Sequence, residues 1–499
     1  MTQAPGPAGV EIAAEKSHNK QISFNKVSDP MLKDIIKKEI LETITSAKFV
    51  FTFLLCAILI LLSVWTGLIN YSADLKESSA AAALNKKNLE SQPSYGALAG
   101  LGTKINKRPQ VLGAISTGID EAVGRVASVN VAYDPNLVDS KYESNPVFSI
   151  FGALDLTFIV KIVLSLFAIL FTYDAIVGEK ERGTLKLTLS NRVPRDRLIL
   201  GKVIGGFISL LIPLIIPLVL SLLLLLVFPN VSMSSEDWIR LLLMFLIFFL
   251  YLSVFFTLGL FVSARTNRSS TSFLVLLFIW VIVVMVIPKV SVLSAARLNP
   301  IPSVHEITAK KDAFLQQIQG GAQKGVQDWV KANSPKPAED QKVFQEKLKK
   351  FLEDYQQDLT GKIDENNAAL ERDYQLRKRS QERLAINLSR VSPASALMFS
   401  TMSLARTGLD EHERFLSAIR SYKPIFTKWI NSKMMRTLDF TGQGQQAKVV
   451  LDDMPQLKFE PESLGKSMAR TLPDFAVMIV LIIAFFVGSY VSFLKADVR

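Results

Sequence analysis

The chain has 499 residues, 49% of them hydrophobic, and carries 57 Lys and Arg against 45 Asp and Glu, a formal charge of +12. That combination describes a membrane protein first, and bases clustered beside apolar runs serve orientation, which sets nucleic-acid binding aside. One Cys excludes an intrachain disulfide, and three His leave little material for a Cys/His zinc site.

The first 48 residues hold no apolar core of signal-peptide length near their start, so no cleavage is expected. After the predicted cytoplasmic tail 1–28, the stretch 29–48 begins "DPMLKDIIKKEILETI". Asp29 and Pro30 are placed as N-cap and first helical residue, and Leu32, Ile36, Ile40 and Ile44 share one face while Lys33, Lys37, Lys38 and Glu42 lie elsewhere. This predicts an amphipathic helix lying in the membrane interface with its lysines at the lipid head groups; an ordinary cytoplasmic helix is the plainer alternative.

Six apolar runs reach or approach the roughly 20 residues needed to cross about 30 Å of hydrocarbon. They are predicted at 49–69, 152–173, 203–228, 238–261, 271–288 and 472–493. Cys56 falls in the first and reads as inert filler. The loop 174–202 carries seven bases, from Lys180 to Lys202, whereas 229–237 carries none, so the positive-inside rule places the first in the cytoplasm and the second outside. Arg265 and Arg268 fall inside on the same rule, and both termini are then cytoplasmic.

Two long segments, 70–151 and 289–471, lie outside the cell in this topology. Within the second, Phe344, Leu348, Phe351, Tyr355, Leu359, Ile363, Leu370, Tyr374 and Leu384 follow steps of mostly three and four residues, predicting a long amphipathic helix. Asn366, Arg377 and Gln381 interrupt the seam, which favours a helical hairpin with the pattern from His305 to Val330, broken at "NSPKP" (Asn333 to Pro337). "SVNVAY" (Ser128 to Tyr133) and "KVVLD" (Lys448 to Asp452) read as strands, so the outer part is expected to be mixed but mainly helical. The fold class is an α-helical polytopic membrane protein with six transmembrane helices, an N-terminal interfacial helix and an extracytoplasmic domain.

Lys161 falls near the middle of the second predicted span, where a base costs about 2.5–3.5 kcal/mol on insertion scales. Either it lines a translocation path or dimer seam, or the span is shifted and Lys161 snorkels outward. No catalytic cluster is evident. His18, His305 and His412 are far apart and read as surface residues, and "GKS" at Gly465 to Ser467 has Glu460 where a phosphate loop needs glycine. "TGQGQQ" (Thr441 to Gln446) is a poor likeness of an ABC signature. The chain is therefore not expected to hydrolyse ATP alone.

The loop after the second span reads "YDAIVGEKERGTLKL", from Tyr173 to Leu187. Orientation needs its bases but not the alternating Glu179 and Glu181. A short charged helix broken at Gly183 suits docking on a soluble partner, where opposite charges fix register; a merely solvated loop is the alternative. Leu185, Leu187 and Leu189 would return the chain to the membrane surface.

An acid ending a span, then "GEKERGTL" (Gly178 to Leu185), then "SNRVPRDRLILGK" (Ser190 to Lys202) entering the next span, resembles the permease subunits of ABC type-2 exporters. The resemblance implies that Asp174, Gly178, Glu179, Lys180, Glu181, Arg182, Gly183 and Thr184 form the coupling element against a separate ATP-hydrolysing subunit, which holds the ATP and Mg. It also implies a second permease copy or homologue and a bacterial inner-membrane location; the thin set of His and Cys ligands leads to the expectation of no cofactor or metal on this chain. "RPQVLGAISTGIDEAVG" (Arg108 to Gly124) and "SPASAL" (Ser392 to Leu397) resemble a branch with large extracellular insertions, for which envelope proteins are additional expected partners. A nonenergised scaffold organising envelope proteins through the long outer helices is the rival reading.

Overall fold

The computed structural model describes residues 30–131, 135–138, 140, 154–190, 194–229, 231–334, 341–437 and 449–495. Pro30, pre-set for a first helical turn, opens α1 (Pro30–Ile44). The predicted N-cap Asp29 lies outside the described residues, as do His18 and the signature-like stretch 441–446. Leu32, Ile36, Ile40 and Ile44 are half-buried and Lys33, Lys37 and Lys38 exposed, matching the predicted faces. The helix stops short of residue 48 because Ser46 turns extended and its hydroxyl accepts the amide of Phe49, capping α2 (Ala47–Glu90).

Helix α2 is 44 residues long, about 66 Å, and continues far beyond the apolar run that ends at Ile69. No Gly or Pro occurs between Asn70 and Gln92, and the Ala, Lys and Glu content propagates the helix outward. A short helix α3 (Tyr95–Leu101) then leads into an antiparallel sheet β1 (Thr103–Asn106), β2 (Val126–Val129) and β3 (Asn136–Val138). Thr103 pairs with Val129, and Ala127 with Leu137. The strand read from "SVNVAY" is thus the end of β2; Ala132 and Tyr133 lie outside the described residues.

The remaining spans are α4 (Leu156–Glu181), which the one-turn break at 173–176 divides near its end, then, after α5 (Thr184–Ser190), α6 (Arg195–Val227), α7 (Ser235–Arg265) and α8 (Ser269–Leu298). With α2 and the last described helix they make, among the described residues, six helices long and apolar enough to cross a membrane. Helix α7 sits innermost: Phe248, Tyr251, Leu252, Phe255 and Phe256 are all fully buried in the membrane core. Its start carries a reciprocal cap between Ser234 and Asp237. Gly259 permits the crossing of α7 and α4, since a Cβ there would fall within 1.8 Å of Thr172 Oγ1.

Beyond the membrane, α9 (Val304–Asn333) and α10 (Gln341–Ser389) form the expected hairpin, α10 being 49 residues and about 74 Å long. Trp329 stacks on Phe351 at 4.7 Å near the tip, and Gly325 admits the hydroxyl of Tyr355. The chain then makes α11 (Pro393–Ala405), α12 (Leu409–Thr437) and α13 (Leu464–Lys495).

The two long segments between spans share one core. Phe415, Ile419, Tyr422, Phe426 and Ile430, on one face of α12, bury against Leu98 of α3, Ala127 and Val129 of β2, and Leu89 at the end of α2. "KVVLD" is not a strand: Val449 to Leu451 run irregularly, because both polar backbone groups of Val450 pair with the Tyr95 hydroxyl instead of a neighbouring strand. Lys448 lies outside the described residues. His412, read as a surface residue, is buried in this domain, whereas His305 is exposed on α9.

Candidate coupling site

The 174–190 segment folds as a turn at 173–176, a short helix Val177–Glu181, a break at Gly183, and α5. Gly183 takes φ +74°, which glycine adopts without a Cβ penalty, so the predicted break is a left-handed residue. The amides of Ile176 and Val177 both donate to Ser263 Oγ at 3.1 Å, fastening the start of the short helix to the end of α7.

Asp174, Glu179, Lys180 and Glu181 each reach a different helix. Asp174 pairs with Lys48, at the start of α2, at 2.7 Å. Lys180 Nζ donates to the carbonyl of Ala264 at 2.6 Å, a favourable cation at the C-terminus of α7. Glu181 accepts from the amide of Ser269 at 3.1 Å and from its hydroxyl, capping the N-terminus of α8 with a carboxylate. Glu179 turns inward. It is 8% exposed and pairs with Lys202 of α6 at 2.7 Å, and Lys202 pairs with Glu39 of α1 at 2.8 Å. Gly178 is buried beside Asp174 and Ser269.

The outward surface is consequently narrower than the sequence pattern implied. Arg182, Thr184, Lys186 and Leu187 are exposed, and Leu187 presents two thirds of its surface. Leu185 is buried, so only one of these two leucines packs back on the spans; the side chain of Leu189 lies outside the described residues. Sequence reading missed Lys202, Glu39, Lys48, Ser263 and Ser269. An isolated Lys at the start of a span beside glycines was the one available signal, because Gly201 and Gly205 bring α1 so close that a Cβ at 205 would meet Glu39 Cβ at 2.8 Å.

The outer ends of the spans hold a second junction. Lys161 lies in the second turn of α4, not near its middle, since Asp155 starts that helix by accepting the amide of Phe158. Its Nζ lies 3.4 Å from Met398 Sδ of α11, and 5.5 Å from the Phe158 ring. Residues Val160–Leu164 form a π-turn, and the carbonyl of Lys161 accepts the hydroxyls of Tyr251 and Ser165. A matching π-turn, Ile282–Val286 in α8, gives the Val283 carbonyl to Ser392 Oγ at 2.6 Å, at the start of α11.

Helix α11 is buried against α7 and α13, held by Ser400 to Asp474 of α13 at 3.1 Å, and Asp474 pairs with Arg390 at 2.8 Å. Fully buried Arg240 of α7 donates to Glu236, to Ser467 Oγ and to the carbonyls of Leu404 and Glu462. Arg406, left-handed at φ 59°, adds bonds to Glu236 and to the Glu462 carbonyl. The ends of the spans are thus joined to α11 and the segment around Glu462 by hydrogen-bonded side chains. Among the described residues no group of three or more His, Cys, Asp or Glu is placed to hold a metal ion.

A family model described as ABC-2 family transporter protein matches residues 34–498. The probable ABC transporter permease protein NosY of Pseudomonas aeruginosa is 48% identical over 50 residues, which is 10% of this chain and 18% of that protein. The aligned stretch therefore spans under a fifth of that relative's length.

Proposed function

The chain belongs to the ABC-2 family of transporter proteins, and from that premise we propose that it is the membrane subunit through which a separate ATPase drives export or mechanical work outside a bacterial inner membrane. Family membership implies an ATP-binding partner subunit, and that subunit holds the ATP and Mg. A second permease copy or homologue completes the assembly, with both termini in the cytoplasm. The observation that carries this reading is the wiring of 174–190. One short segment is tied at Asp174, Glu179, Lys180 and Glu181 to five other helices: the ends of α2, α7 and α8, the second turn of α6 and, through Lys202, α1. A push on it is shared by all of them, which a solvated loop would not do.

The division of labour within the segment follows. Arg182, Lys186 and Leu187 meet the ATPase, whereas Glu179, Lys180 and Glu181 pass the displacement inward. The long α9–α10 hairpin and the lock of α11 onto α4, α7, α8 and α13 favour a mechanical output to an envelope protein over simple passage of a cargo.

Mild-detergent purification of the full chain from its native membrane, beside an Arg182→Glu, Lys186→Glu variant, tests the proposal. A phosphate-loop subunit should accompany the native chain and be lost from the variant. Recovery of envelope proteins alone, under conditions that keep other ABC complexes intact, replaces it with the nonenergised scaffold.

A further inference from the structure

Where α7 and α13 reach the basic end of the spans, a cavity of about 640 Å³ opens between them. Its lining runs from apolar to cationic on both helices. Phe261 and Arg265 follow one another at i and i+4 on α7, and Gly488, Val491 and Lys495 at i, i+3 and i+7 on α13. Gly488 lets the Phe261 ring approach, since a Cβ there would fall 2.8 Å from it. Lys180 closes the cavity from the coupling segment. Among the described residues no carboxylate lines it, Lys180, Arg265 and Lys495 make no ion pair, and Arg265 and Lys495 are exposed.

We infer that this cavity binds the phosphate headgroup of an anionic phospholipid. Two observations favour a lipid over a soluble anion or an acidic protein surface. The apolar wall continues away from the bases as an exposed ridge on α13, Ile483, Val487 and Val491 at four-residue steps, along which an acyl chain lies. The cationic mouth sits at the level where the head groups of an inward leaflet lie, and basic recesses between spans on that side recognise anionic lipid. The inference rests on the orientation proposed above. Because Lys180 also holds the end of α7, a bound headgroup touches the coupling segment itself.

Native mass spectrometry of the full chain, offered equal amounts of dioleoyl phosphatidylglycerol and dioleoyl phosphatidylcholine, tests it. Wild type should retain the anionic lipid in excess, and Arg265→Gln with Lys495→Gln should lower that excess at least threefold and up to roughly thirtyfold, as two bases near an anionic surface dictate. Arg265→Lys should keep it. Val491→Trp, which fills the groove but leaves every base in place, should lower retention of both lipids and gives an answer even if the double variant misfolds. Equal retention of the two lipids by wild type overturns the inference. So does displacement of the anionic lipid by millimolar inorganic phosphate, which assigns the site to a soluble anion. Loss of ATPase co-purification in the double variant with lipid retention unchanged assigns the bases to the protein partner. Lipid retention is read without the ATPase, so failure here and failure of the coupling proposal are separate results.

Discussion

Replacing Lys202 by Met removes the cation shared by Glu179 and Glu39 while keeping side-chain length. Lys202 is 4% exposed, and its two partners lie 2.7 and 2.8 Å away with side chains 11% and 16% exposed. The variant leaves two enclosed carboxylates facing one another without compensation. Breaking a buried pair from one side costs about 3–5 kcal/mol, whereas an exposed pair is worth under about 1 kcal/mol. For a cooperative unit of a few hundred residues, the larger figure corresponds to a fall in Tm of roughly 6–20 °C. Glu179→Gln should cost less, because the amide oxygen still accepts from Lys202 and the amide nitrogen replaces Oε2, a carboxylate oxygen without a hydrogen-bond partner. Thermal unfolding of the full chain in mild detergent, with the Glu179→Gln, Lys202→Met double variant completing a cycle, measures both. A coupling energy below about 0.5 kcal/mol, or a Lys202→Met chain as stable as wild type, would falsify the argument that this triad fixes the segment to α1 and α6.

Gly205→Val should push α1 away from α6, costing about 1–3 kcal/mol by overpacking against Glu39 and Ile36, and a disulfide engineered between the two helices should then form more slowly. Lys161→Met should leave stability within about 1 kcal/mol of wild type, and ATPase stimulation by the complex intact, because among the described residues Lys161 makes no close ion pair and Asp155 acts on it only at longer range; a loss of activity alone would place Lys161 on the working path. Burial, and secondarily the Lys107 ammonium, hold His412 below the usual imidazole value, against Glu413 and Asp120. The unfolded chain therefore binds the proton first, so the stability of the outer domain is present above about pH 6.5 and falls as the pH drops below it, by at most about 1.4 kcal/mol per unit. Pulse proteolysis from pH 7.5 to 5 should show this slope, and His412→Gln should abolish it. Burial holds Glu411 above the usual carboxylate range, which acts in the opposite sense as the pH falls, so the His412→Gln domain should gain stability toward acid.

Much of the membrane part was legible because crossing a bilayer demands a local property. Twenty apolar residues in a row announce a span wherever they occur. The amphipathic faces of α1 and α10 were equally plain, since a 3.6-residue period is written into the order of side chains. The break at Gly183 and the helical hairpin of α9 with α10 belong to the same class.

What the tertiary structure alone decided are the pairings between segments far apart in sequence. Glu179 and Glu181 look alike as alternating acids, yet one is buried against Lys202 and the other caps α8, because a helix turns successive residues by about 100° and the neighbours differ on each side. Lys161 stands in the second turn of its span, as the shifted-span alternative required, because an apolar run does not show where its helix is capped. The short run at Lys448 to Asp452 was mistaken for a strand because its residues suit one, while Tyr95, more than 350 residues away, supplies the hydrogen bonds that a partner strand would have made. Helix α11, too short to span a membrane and surrounded by outer sequence, became the link between outer domain and spans only through contacts with α7, α8 and α13. Composition and period fix which surfaces must be hidden; the sequence carries no comparable local mark for which distant surface hides them.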